Sequence, residues 1–342
     1  MRKVVLSAVA VTALALSPPN SACAQQDKPE LPKLKLAVGG KSAIFYLPLS
    51  VTERLGYFRD AGLEVEIADV QSGARALQSL IGGSADMSVG TFDHTIQMQA
   101  KGQSIVAVTQ YGRYPGFVLG TIASKSIAYG GPHSLKGLKI GVTSPGSSTH
   151  FMAAYMLVRS GLKPDDASFV GTGVTSTAVA AARRAEIDAI VSSDPMVSLM
   201  QGEGLVSVVA DTRTPEGTQA VYGGPYPGGV VYTTPAFIEK NPRTVQAIVT
   251  AFVRALKWMS SHQADAIANA MPEEYGLGHR EVYLRALTAS RAMYSPDGRF
   301  VPGAVETAYQ VLKVFDPSVA RATVDLSKTY TGAFVEKALA TR

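Results

Sequence analysis

From Leu34 onward, short apolar runs rich in Val, Ile and Leu recur, each ending in a Gly- or Ser-rich turn and followed by a stretch with helical spacing. Parallel strands cannot be joined by a tight hairpin, so this alternation predicts sheets with crossover helices. The first series predicts strands over Leu34–Val38, Leu63–Val70, Asp86–Val89 and Ile105–Thr109. Its helices run from Leu49 to Phe58, from Ser72-Gly73 to Ile81, and from Thr91-Phe92-Asp93 to Ala100. A second series places strands at Phe117–Ala123, Lys139–Val142, Ser168–Val170, Ile187–Val191 and Leu205–Ala210. Its helices follow Thr143–Thr149, Thr175 and Ser193-Asp194-Pro195, where Asp suits a cap and Pro a first turn.

Like segments bracket the second series: Tyr114-Pro115-Gly116 before Phe117-Val118-Leu119, and Tyr226-Pro227-Gly228 before Val230-Val231-Tyr232. They fit two crossings between lobes, although two unrelated loops sharing a tripeptide would look the same. After Thr234 the pattern is helical, over Pro235–Glu239, Arg243–Ser260, Gln263–Ala270, Arg280–Met293, Val305–Phe315 and Lys328–Leu339. This tail is expected to pack back on the first lobe.

Composition changes the picture at the amino end. Arg2 and Lys3 precede an apolar run, Val4 to Leu16, and small residues lead to Ala22-Cys23-Ala24, the Ala-x-Ala form a signal peptidase cleaves. Residues 1–24 are expected to be a leader, with Gln25 the mature terminus and the periplasm the destination. As a helix the run would rise only about 20 Å against roughly 30 Å of hydrocarbon, too short for an anchor. Cys23 follows Ser21-Ala22 as a lipidated cysteine would, yet Asn20 stands where a lipobox prefers Leu, so soluble and lipid-anchored forms both stay open. Cys23 is the sole cysteine, which leaves the mature chain without disulfides or thiolate metal sites. The formal charge of +5 is spread in alternating signs without a basic block, and this argues against nucleic acid as partner.

Several segments together resemble the nitrate/sulfonate/taurine group of ABC solute-binding proteins, which includes binders of thiamine pyrimidine precursors. They are Tyr46-Leu47-Pro48-Leu49, Leu55-Gly56-Tyr57-Phe58, Ala61-Gly62-Leu63-Glu64-Val65, Ser72-Gly73, Leu80-Ile81-Gly82-Gly83, Asp86, Leu135–Val142 and Asp194-Pro195. The likeness runs from about Leu34 to Asp211. It implies an α/β fold of the two-lobed type II periplasmic-binding-protein kind, each lobe a mainly parallel sheet flanked by helices, with two hinge crossovers and a helical carboxyl-terminal tail. Lobe 1 would comprise residues 25–112 with 228–342, and lobe 2 residues 113–227.

In open parallel sheets a ligand lies off the carboxyl ends of the strands, where backbone N–H groups of starting helices are free. Those turns offer Ser42, Phe45, Tyr46, Ser72, Gly73, Thr91, Phe92 and Tyr111 from the first series, and Ser144, Gly146, Ser147, Ser148, Thr149, Thr172, Asp194 and Tyr222 from the second. Hydroxyls suit a small polar guest, and the aromatics either stack on a planar one or belong to the core. Ser144 to Thr149 either caps its helix or forms an N–H nest for an anionic head group. Asp194 caps a helix or reads an amino group; in the pyrimidine binders that the chain resembles, an acidic residue before this Pro faces the ligand. Arg75 either pairs with a sulfonate or carboxylate or simply faces solvent.

Catalytic constellations are lacking in the sequence. His94, His133, His150, His262 and His279 form no His-x-His or His-x-x-x-His pair, and each reads as a surface or satisfied core residue. No Gly-x-Ser-x-Gly elbow occurs, and Gly141-x4-Gly146-Ser147 lacks the lysine of a phosphate loop. The expectation is therefore a monomeric, cofactor-free and metal-free binder of a sulfonate, carboxylate or pyrimidine-like molecule. Its partners would be an ABC permease and, through it, the ATPase. A sensor or adaptor, or a pyrimidine-synthase-like enzyme on the same fold, are the alternatives.

Overall fold

The computed structural model describes residues 28–276 and 278–340; the leader read over residues 1–24, with Cys23, lies outside the described residues. Among the described residues, ten strands form two five-stranded sheets. The first has the order β2-β1-β3-β10-β4 and is built from β1 (Lys33–Val38), β2 (Glu64–Asp69), β3 (Met87–Thr91), β4 (Val106–Gln110) and β10 (Gly229–Thr233). The second has the order β7-β6-β8-β5-β9, from β5 (Val118–Ile122), β6 (Lys139–Val142), β7 (Ser168–Gly171), β8 (Ala189–Ser192) and β9 (Val206–Asp211). The two orders are the same plan used twice. In each, the first three strands pair in parallel, and the strand arriving from the other lobe is inserted antiparallel beside the third.

Burial explains the composition of the strands. Leu36, Val38, Met87, Val89 and Val231 are fully buried because helices cover both faces of the first sheet. The 20-residue helix Pro242–Ser261 buries Val245, Ile248, Val249, Phe252, Leu256 and Met259, the recurrence of a single apolar face, and packs on helices Leu47–Arg54 and Ala333–Ala340.

The structure departs from the expectations at four points. The helix read from Leu49 to Phe58 is two, Leu47–Arg54 and Tyr57–Asp60, because Gly56 takes a left-handed φ of 76° between them. The helix read over Lys328–Leu339 is only Ala333–Ala340, since the chain before it is drawn against β4, where the Thr331 N–H donates to the Ala107 carbonyl. Pro215–Tyr222 is helical as well, with Thr214 as its cap. The tail is not confined to the first sheet: Arg280–Ser290 packs on helix Met196–Gly202, and Ala304–Phe315 packs on helix Ser148–Arg159, with Phe315 against Phe151.

The two crossings lie side by side. The Gly228 N–H donates to the Gly112 carbonyl and the Gly112 N–H to the Gly229 carbonyl. A Cβ on Gly228 would stand 2.0 Å from the Tyr114 carbonyl oxygen, so only glycine permits this approach.

Candidate functional site

The carboxyl ends of β1–β3 and β6–β8 face one another, and the turns leaving them meet. Gly40, in the turn after β1, presses on Val174, in the turn after β7. The Ile44 N–H donates to the Asp194 carbonyl at 2.9 Å, and Ser144 Oγ donates to Ser72 Oγ at 2.9 Å. Thr91 hydrogen-bonds Ser148, whose hydroxyl also donates to Asp93 Oδ1 at 2.7 Å.

These contacts border a small, partly open chamber of about 30 Å³ lined by Gly39, Phe45, Tyr46, Gly73, Thr91, His94, Phe117, Thr143, Ser147, Ser148, Thr149, Val174 and Ser193. Outside it lies a wider interlobe groove of about 800 Å³. The groove shares Thr143 and Val174 with the chamber and adds Ser42, Ser72, Arg75, Ser144 and Thr172. The Ser72–Ser144 bond joins two residues of the groove wall, one from each lobe.

The walls are shaped by local needs of the backbone. Gly39 has its Cα where a Cβ would lie 2.2 Å from the Gly73 nitrogen, so the turns after β1 and β2 touch through their main chains. Ser72 caps helix Gly73–Ile81 by accepting from the Arg75 N–H. After β6, a knot of hydroxyls holds the loop: Thr149 Oγ1 accepts from the Thr143 N–H, Thr143 Oγ1 donates to Ser147 Oγ, and Ser147 Oγ donates to the Ser144 carbonyl.

Seven of the sequence-predicted residues come together in the chamber wall: Phe45, Tyr46, Gly73, Thr91, Ser147, Ser148 and Thr149. Ser42, Ser72, Ser144 and Thr172 border the outer groove. Five others stand apart from both. Phe92 is fully buried against Phe300 and Tyr330, and Tyr111 is fully buried between Phe45 and Phe252. Tyr222 stacks on Tyr226 and Tyr155. Gly146 turns its N–H to His150 Nδ1. Asp194 is occupied as well: Oδ1 accepts from the Ser198 N–H, and Oδ2 accepts from Arg213 Nη1 at 2.9 Å and Ser290 Oγ at 2.8 Å. Burial opposes the Arg213 charge, but the Asp211 and Asp194 carboxylates outweigh it and raise the guanidinium further above its ordinary value. A carboxylate so engaged has little left for a guest.

Two residues that sequence reasoning passed over belong to the site. His94 lines the chamber with 1% of its surface exposed, and its Nε2 has no hydrogen-bond partner among the described residues. Burial lowers its pKa, and neighbouring Asp93 and the Gly146 backbone work the other way without reversing it. Asp93, also 1% exposed, stands one hydroxyl behind the wall and accepts from Ser148 Oγ and from Tyr226 Oη. The spacing Thr91-x-x-His94, one helical turn off the end of β3, was the available signal.

Comparison with known proteins agrees with this architecture. The family model described as NMT1/THI5 like matches residues 45–266. A solved structure from Bordetella bronchiseptica RB50 is 43% identical, covers 91% of this chain and 98% of its own, and superposes with a TM-score of 0.88. The alkanesulfonate-binding protein SsuA from Xanthomonas axonopodis pv. citri, bound to MOPS, shares the fold at 17% identity and a TM-score of 0.68, covering 88% of this chain and 98% of that one. The periplasmic nitrate-binding protein NrtA from Synechocystis PCC 6803 does so at 14% identity and a TM-score of 0.70, covering 91% and 89%. YtlA of Bacillus subtilis strain 168, a candidate binding protein, is 24% identical over 286 residues, 81% of each chain.

Proposed function

The chain belongs to the NMT1/THI5-like family, and from that premise we propose that it is the exported solute-binding component of an ABC importer. It closes two lobes on a small polar organic molecule and hands it to the permease and, through the permease, to the ATPase. One observation carries the reading: hydroxyl-bearing turns from two separate sheets meet around a small chamber, in whose wall His94 Nε2 has no hydrogen-bond partner among the described residues. The alkanesulfonate- and nitrate-binding proteins of the same fold are binders, which supports capture over catalysis.

In this reading residues 1–24 are a leader that delivers a monomer to the periplasm. Lobe 1 is residues 25–112 with 228–342, lobe 2 is residues 113–227, and the paired Tyr-Pro-Gly segments are the hinges. The guest meets the open form in the groove, and closure adds the contacts of the facing lobe. Ligand can shift that equilibrium only by binding the closed form better than the open one.

The test is protein purified from the periplasm, with small molecules released and identified by mass spectrometry, then added back. The solute is expected to shrink the radius of gyration and to raise the melting temperature. At a hundredfold excess over its dissociation constant the gain is about 2.7 kcal/mol. Superimposable scattering curves with every solute that co-purifies would refute the reading, and unchanged solute uptake in a deletion strain would point to a sensor instead.

A further inference from the structure

The carboxyl-terminal tail touches both lobes at two separate places along the cleft. Its root is the 20-residue helix Pro242–Ser261, which packs on helices Leu47–Arg54 and Tyr57–Asp60 of the first lobe. Further on, residues 293–298 run beside the first crossing as a third length of chain. There the Arg113 N–H donates to the Met293 carbonyl at 2.7 Å, the Ser295 N–H to the Tyr111 carbonyl at 2.8 Å, and the Gln110 N–H to the Gly298 carbonyl at 3.0 Å. One helix enters this pinned stretch and another leaves it. Arg280–Ser290 touches Ile44–Tyr46 of the first lobe and helix Met196–Gly202 of the second. Val282 packs against the cluster that holds Met196, Leu199 and Met200, and the buried Ser290 Oγ donates to Asp194 Oδ2 at 2.8 Å. Ala304–Phe315 touches helix Asp93–Ala100 of the first lobe and helix Ser148–Arg159 of the second. Phe315 meets Phe151 with ring centroids 5.6 Å apart, and the next residue, Asp316, accepts from Gln97 Nε2 of the first lobe at 2.9 Å.

The two second-lobe helices that the tail holds are the ones that begin at the chamber: Ser148 and Thr149 open one, and Ser193 stands just before the other. A swing about the crossings carries both helices with the second lobe, whereas the root of the tail, its pinned stretch and Asp316 are bound to the first. Separation therefore draws Met196–Gly202 away from Val282 and Ser290, and Ser148–Arg159 away from Phe315. We propose that residues 280–316 form a strap, anchored on the first lobe, that grips the second only when the cleft is shut. Ser290 and Phe315 are then positioning residues. They line neither the chamber nor the outer groove, yet they set the apparent affinity, because that affinity scales with the fraction of closed, competent protein. This rests on the reading of two lobes that close on a solute, and goes beyond it by placing part of the closing free energy outside the cleft.

With residues 1–24 removed the chain has no cysteine, so a pair of spin labels can be placed at Gln71→Cys and Thr175→Cys, exposed residues that border the outer groove from opposite lobes. Label-to-label distances are recorded for this parent and for the same chain with Ser290→Ala or Phe315→Ala, across a titration with the solute recovered from periplasmic protein. Melting is measured without solute. The concentration that closes half the molecules should rise about tenfold in each variant, one losing a hydrogen bond to a carboxylate and the other an aromatic contact. The solute-free melting temperature should stay with the parent's. Half-closure within about threefold of the parent's in both variants overturns the proposal and leaves the solute-binding reading intact. A lower solute-free melting temperature at unchanged half-closure overturns it too, since the tail would then be a fixed part of the second lobe. If no recovered solute shortens the distance in the parent, the solute-binding reading fails and the proposal with it. Should Phe315→Ala not fold, Phe315→Leu, which loses the ring contact but keeps most of the apolar volume, takes its place.

Discussion

Replacing Ser148 by alanine tests whether the interlobe hydroxyls hold the closed form. In that form Ser148 Oγ donates to Asp93 across the lobes and accepts from Thr91, at a residue 5% exposed. With the lobes apart, both partners are free to bond water, so the loss falls on the closed form alone. A hydrogen bond to an ionised group contributes about 1.5–3 kcal/mol and a neutral one about 1 kcal/mol, which together shift the closing equilibrium roughly 50- to 1000-fold. Apparent affinity scales with the fraction of closed, competent protein. The concentration of the identified solute needed for half-maximal compaction in solution scattering should therefore rise by a large factor. Ser260→Ala, which removes an exposed bond to the Lys257 carbonyl, serves as the control. If the Ser148 variant compacts within about threefold of the control's concentration, the bond does not hold the lobes and the reasoning fails.

Gly228→Ala drives a methyl into the Tyr114 carbonyl at the paired crossings and should lower the melting temperature by several degrees or prevent folding; a variant that melts with the parent would show that the crossings tolerate the insertion. Arg213→Ala leaves the Asp194 carboxylate, fully buried, without its cation, and denaturant titration should find a loss of about 3–5 kcal/mol; a loss under 1 kcal/mol would mean that Ser290 and the Ser198 N–H suffice. His94 contributes pH dependence of one sign. Its folded pKa lies below the ordinary 6.5, chiefly through burial, with Asp93 and the Gly146 backbone opposing and Lys101 assisting, so below pH 6.5 the unfolded chain takes up the proton first. Its contribution is complete above pH 6.5 and is lost as pH falls towards the folded value. His94→Gln should flatten the fall in melting temperature between pH 7 and pH 5, leaving the share of His150, which burial also lowers; an unchanged slope would refute the assignment.

The nine strands read from the apolar runs all lie where the sequence put them, and the tenth, Gly229–Thr233, falls on Val230-Val231-Tyr232 after the second Tyr-Pro-Gly. A strand buried on both faces, such as Met87–Thr91 or Ala189–Ser192, is the easiest to read. The turns of the site were legible for a related reason, since carboxyl ends of parallel strands are where Ser, Thr and Gly must cluster. Direction was not legible. Phe92 directly follows Thr91, and Tyr111 directly follows β4, yet both turn inward, and only the packing of Phe300, Tyr330 and Phe252 decides that. Partners far along the chain were equally hidden: nothing near Asp194 announces Arg213 or Ser290. His94 was discounted as one of five scattered histidines, a judgement about pairs of histidines that could not register a lone one beside Asp93 at a strand end.

In the proposed reading a guest competes with hydroxyls that are already engaged. Ser148, Thr91 and Ser147 are already bonded to one another or to Asp93 and the Ser144 carbonyl, so entry means exchanging bonds rather than adding them. Each exchange is close to neutral unless the guest brings something the wall lacks, since a net hydrogen bond is worth only about 1 kcal/mol. Among the described residues the wall lacks a partner for His94 Nε2. A guest that supplies one gains something in the closed form that the hydroxyls do not give one another, and it can shift the lobes only by that difference.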